Sequence, residues 1–116
     1  MVKDVSVFLG HILESMAAID SHVQGLSYEQ FTHDIKTQDA VMRRFEIIGE
    51  AVKNIPDNIK TEHPEIQWKQ IAGLRDILIH QYFGIDLQLV WRALTEKIPD
   101  TRLAITLVKQ SLDQPK

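Results

Sequence analysis

Residues 39–53 read DAVMRRFEIIGEAVK. Val41, Phe45, Ile48 and Val52 recur at steps of four and three, and Ile55 continues them. An α-helix turns about 100° per residue, so this spacing gathers the five side chains onto one face. Asp39, Arg43, Glu46, Glu50 and Lys53 run beside them as a polar stripe. The segment is therefore an amphipathic helix with a core face. Pro56 ends it, because the residue before a proline is pushed out of helical geometry. Gly49 sits in mid-helix at a cost of about 1 kcal/mol relative to alanine. Close approach of another helix, in the core or at a dimer seam, explains its presence. Glu46 and Glu50 repel mildly one turn apart, and Arg43, Lys53 or a second copy of the chain can offset this.

The same periodicity extends outward in both directions. Towards the N-terminus, Val5, Phe8, Ile12, Met16, Ile19 and Val23 form one stripe, with Gly25 as its stop. Ser27 caps a short helix through Phe31. Towards the C-terminus, Asp57 caps a turn ending near His63 and Pro64. From Trp68, the pattern Ile71, Leu74, Leu78 predicts a fourth long helix fading before Gly84. Asp86 caps a fifth, with Leu87, Val90, Trp91, Leu94 and Ile98 inward. Pro99 opens a sixth, with Leu103, Leu107, Val108 and Leu112 inward. No alternating run bounded by hairpin turns argues for strands. Short connections between amphipathic helices predict an all-α, up-and-down bundle, with residues 1–116 as one domain. Trp68 and Trp91 are expected as core or interface anchors.

Composition narrows the function. The chain has 116 residues, and 13 Lys+Arg against 16 Asp+Glu give 13 − 16 = −3. With 44% hydrophobic residues it can build a core without crosslinks. The absence of cysteine excludes disulfides, thiolate catalysis and Cys-ligated metal. The negative charge argues against gripping nucleic acid by bulk attraction. No secretory leader or membrane-length apolar run is visible, so a soluble cytoplasmic protein is expected, with no membrane partner. His11, His22, His33 and His63 lack metal-ligand spacing; no metal and no cofactor is expected. No glycine-rich phosphate loop is present, which argues against a nucleotide-using enzyme.

The chemistry concentrates in residues 68–84, WKQIAGLRDILIHQYFG. Asp76 and His80 lie about 40° apart on a regular helix and share a face; Arg75 and Tyr82 also align. Arg75 and His80 stand about 140° apart, so they converge through long side chains, a loosened last turn or a site between two chains. Histidine exchanges protons near neutrality. Arginine stays charged and grips phosphate with a planar fork. Together they suit RNA cleavage: a base deprotonates the ribose 2′-OH and a cation stabilises the charged phosphorane, a route that requires no metal. Tyr82 can hydrogen-bond phosphate or accept a modifying group. The structural alternative is a helix-terminal histidine with a neighbouring carboxylate and an arginine salt bridge. Arg43 and Arg44, the only basic pair, are candidates for RNA binding or an ordinary solvated face.

The run Arg75-x4-His80-x-Tyr82 resembles the R-x4-H-x-Y motif of the HepT-like family of HEPN-domain toxins. Glu46-Ile-Ile-Gly-Glu-Ala51 resembles that family's central helix, and Trp68 to Phe83, Asp86 and Val90-Trp91 resemble the stretch around its active site. The resemblance implies a HEPN-like bundle that homodimerises and brings two R-x4-H motifs into one cleft. It implies a metal-independent endoribonuclease, the toxin of a toxin–antitoxin pair, with His80 as general base or acid and Arg75 as phosphate binder. Asp76 is implied as a supporting polar residue. It also implies a minimal nucleotidyltransferase antitoxin that silences the toxin by transferring AMP to Tyr82. A non-catalytic module that docks the transferase or binds nucleotide is the alternative.

Overall fold

The computed structural model describes residues 2–74 and 87–114. Helix α1 spans Val2–Val23 and ends at Gly25, whose φ of 80° is a left-handed conformation that glycine adopts freely. Helix α2, Tyr28–Thr32, begins with a reciprocal cap: Ser27 Oγ accepts from the Gln30 amide, and Gln30 accepts in turn from the Ser27 amide. Helix α3, Ile35–Lys53, is capped by Asp34, which accepts from both the amide and the hydroxyl of Thr37.

Helix α4, Asp57–Glu62, corrects one expectation. Pro56, not Asp57, occupies the capping position, and Asp57 is the first helical residue. Proline's fixed φ suits this entry, and an acidic side chain in the first turn faces the positive end of the helix. Helix α5, Trp68–Ala72, stops at Gly73, with Leu74 helical again beyond it. The rest of the expected fourth helix, including Leu78, and the expected Asp86 cap lie outside the described residues.

After Leu87 the structure departs from the expected pair of helices. Helix α6, Leu87–Arg92, passes through a π-helical turn, Ala93–Lys97, straight into α7, Ile98–Asp113. Pro99 stands in the first turn of α7, as expected, but the chain enters that helix through the π turn without a break. A proline ring clashes with the carbonyl four residues earlier and supplies no N–H. The wider turn accommodates this. The Ile98 amide donates to the Ala93 carbonyl, five residues back. Thr95 Oγ1 donates to the Trp91 carbonyl at 2.7 Å within the same turn.

Helix α1 packs most extensively on α3 and next on α7, while α5 and α2 lie against α3. Leu9, Ile12, Met16 and Ile19 interlock with Val41, Phe45 and Ile48, and with Ile98 and Ile105, all fully or nearly fully buried. Val52 and Val108 extend this core. The rotation of α7 is fixed along its rim. Ser6 donates to Asp113, Arg102 pairs with Asp20, and a Cβ on Gly10 would meet the Lys109 chain at 3.4 Å. This overturns the inward placement of Leu103 and Leu107, which are 65% and 58% exposed. They stand about 140° and 180° from Ile98, whereas Ile105, seven residues on, returns to its face. Among the described residues there is no strand and no helix long and apolar enough to cross a membrane. The all-α architecture follows.

Candidate functional site

Arg75, Asp76, His80 and Tyr82 lie outside the described residues; what the structure gives is the pair of helical ends that frame them. On the near side, Trp68 is buried and its indole N–H donates to the His63 carbonyl at 3.0 Å. Ile71 and Leu74 are buried beside it. The Gly73 amide closes on the Lys69 carbonyl at 3.0 Å. A Cβ at Gly73 would press the Gln70 carbonyl at 3.3 Å, so this turn is tight where the chain leaves for Arg75. On the far side, Val90 is fully buried and Trp91 packs on two rings of the α2 region, Phe31 at 5.2 Å and Tyr28 at 5.9 Å. Both tryptophans thus anchor the ends of the segment, one at each side.

The basic pair separates. Arg44 turns inward, its guanidinium reaching the fully buried Ser15 hydroxyl at 3.5 Å. Arg43 is exposed and lines a shallow groove with Glu46, Ile47 and Glu50. Adjacent helix positions point about 100° apart, which is why a sequence pair need not make a surface pair. Gly49 is buried, as the reading of a close-packed helix expects.

Two further cations come together that helical spacing keeps apart. Arg92 and Lys97, with Gln70, Gly73, Leu74, Leu89 and Ala93, line a groove of about 270 Å³ between α5 and the π turn. On a regular helix they would stand about 140° apart. The π turn, in which the Ile98 amide reaches five residues back to the Ala93 carbonyl, narrows that angle, and both side chains border the one groove. The one sequence signal for this turn is Pro99, which reads locally as a helix start.

Three other histidines take structural roles. His11 meets Phe8 edge-on at 6.2 Å, His33 Nδ1 lies 2.9 Å from the Glu29 carbonyl, and His63 lies 3.4 Å from Glu65. Among the described residues, no group of three or more histidines and carboxylates is placed to hold a metal ion.

The profile of the ribonuclease HepT-like family matches residues 12–108, from the third turn of α1 into the second half of α7 and across the framed segment. The chain belongs to this family. A protein of Thermococcus cleftensis, designated a probable ribonuclease HepT, is 45% identical over 82% of this chain and 86% of its own length. A protein of Caldanaerobacter subterraneus subsp. tengcongensis with a ribonuclease designation is 39% identical over 94% of this chain and 97% of its own. In Methanocaldococcus jannaschii, a protein whose name joins a gamma-glutamylcyclotransferase to a ribonuclease designation is 42% identical over the full 116 residues. The chain spans about half, 52%, of that relative. No solved structure matches the chain with significance.

Proposed function

We propose that this HepT-like chain is a metal-independent endoribonuclease and the toxin of a toxin–antitoxin pair. The observation that carries the reading is the family match over residues 12–108, which includes the intact run Arg75, Asp76, His80 and Tyr82. His80 takes the proton of a ribose 2′-OH. The 2′-oxygen bonds to phosphorus, the bond to the 5′-oxygen breaks, and that oxygen leaves with a proton supplied by a general acid. Arg75 stabilises the charge that develops on the phosphorane oxygens, where a planar, permanently charged donor is most effective. Asp76 orients the site. Two chains form the cleft, each giving one motif. The acid and the base then come from the two copies or from one His80 in succession.

The antitoxin in this reading is a nucleotidyltransferase that uses Tyr82 as acceptor. The phenolic oxygen bonds to the α-phosphorus of ATP and pyrophosphate leaves. The phenol proton passes to a base on the transferase. A bulky anion on Tyr82, two residues from His80, blocks the cleft to RNA.

The decisive experiment is cleavage of RNA by the purified, partner-free protein in EDTA. The unaltered chain should cut, and His80→Ala should lose at least about a hundredfold in rate, the usual span of acid–base catalysis. Equal cleavage by His80→Ala sinks the assignment. No cleavage and no toxicity on overexpression would favour a binding module. Incubation with the transferase and ATP should add AMP mass to the chain, and Tyr82→Phe should gain none.

A further inference from the structure

The groove between α5 and the π turn sits beside the exit to Arg75. Leu74, immediately before that residue, forms part of its wall. Among the described residues, its lining contains two cations and no carboxylate. That is unusual in a chain of net charge −3. The acidic side chains nearby line the neighbouring grooves, which the same two cations also border. Arg92 also borders a groove with Glu96, Tyr28 and Trp91, and Lys97 one with Glu65, Glu96 and Asp100. Arg92 and Lys97 are exposed, and the wide turn holds them on one side. Gln70 adds an amide donor, while Leu89 and Ala93 give an apolar floor.

We propose that this groove seats the sugar–phosphate backbone of a single-stranded RNA, with Arg92 and Lys97 each holding a phosphate next to the scissile one. The proposal rests on the ribonuclease reading and extends it by naming where the strand runs. The two cations are positioning residues: they touch phosphates that do not react. Phosphate contacts set the register of a nucleic acid without reading its bases. They also supply local attraction that the net charge withholds.

The test measures binding apart from cleavage. In a His80→Ala background, the affinity for a short labelled single-stranded RNA is followed by anisotropy across salt concentrations. Arg92→Ala/Lys97→Ala should weaken binding about tenfold and reduce the slope of log affinity against log salt by about 1.4, near 0.7 for each lost single-strand phosphate contact. Arg92→Lys/Lys97→Arg, which keeps both charges, should retain the slope. Lys53→Ala/Lys60→Ala, away from the groove, should change neither quantity. In the active chain, Arg92→Ala/Lys97→Ala should raise KM with kcat nearly unchanged, as expected for contacts equal in ground and transition states. If Arg92→Ala/Lys97→Ala binds RNA like the Lys53/Lys60 control, the proposal is overturned. Failure of the unaltered chain to cleave would instead remove the ribonuclease reading, and the binding comparison would still decide whether this groove takes phosphates.

Discussion

Asp34 shows how a single carboxylate can matter at the surface. The Thr37 hydroxyl, and then the Thr37 amide, hold its pKa below the ordinary 3.8. A carboxyl with a lowered folded-state value contributes stability that is fully present above pH 3.8 and is lost as pH falls through the lowered value. Asp34→Ala should therefore lower the melting temperature at pH 7, and its difference from the unaltered chain should shrink as pH falls below 3.8 in an acid melting series. Asp34→Asn keeps an acceptor for the capping position and should lose less at pH 7. In the core, Phe45→Ala should cost about 3–5 kcal/mol in urea unfolding, because a fully buried ring leaves a cavity. Residues of this kind are legible in sequence through spacing and cap chemistry. Arg44 was not: its pairing with Ser15 depends on which way α3 is rolled against α1, which no local pattern encodes. The roles of Arg75, Asp76, His80 and Tyr82 rest on motif resemblance, since spacing alone leaves Arg75 and His80 on different faces.

At the scale of elements, the turn at Gly25 and the π turn before Pro99 mark two kinds of boundary. Beyond the adjoining residues, no described atom lies within 4 Å of where a Cβ on Gly25 would stand, so only the backbone conformation there resists substitution. Gly25→Ala should cost about 1–2 kcal/mol, the left-handed penalty, without perturbing the core. The boundary there was readable because glycine after an apolar stripe has a specific conformational meaning. Pro99 was ambiguous because proline serves both as a helix start and as a tolerated interior residue where a wider turn removes the clash. The same ambiguity hides the outward placement of Leu103 and Leu107. If they were core, Leu103→Gln/Leu107→Gln would cost several kcal/mol. As exposed residues they should shift unfolding by no more than about 1 kcal/mol together.

At the scale of the molecule, the described helices extend over 49 × 28 × 20 Å. The long dimension comes from α1, α3 and the α6–α7 rod lying side by side, with α5 and α6 framing the segment that carries the family motif. The all-α bundle was legible because every long element is amphipathic at one period. Whether an apolar stripe faces a second copy was not, since a seam and a core are equally apolar in sequence. Sedimentation of the purified protein should give twice the chain mass if the composite cleft exists, and a monomer that cleaves RNA would contradict it. One contact has a topological meaning. Ser6 bonds to Asp113, so the two ends of the bundle's main chain leave from the same pole. A short linker joining them, with new termini opened at the exposed Gln24–Gly25 bend, should give a circular permutant with unchanged helical content and cooperative melting. The same adjacency lets such a bundle be spliced into a larger polypeptide with little disturbance to either part.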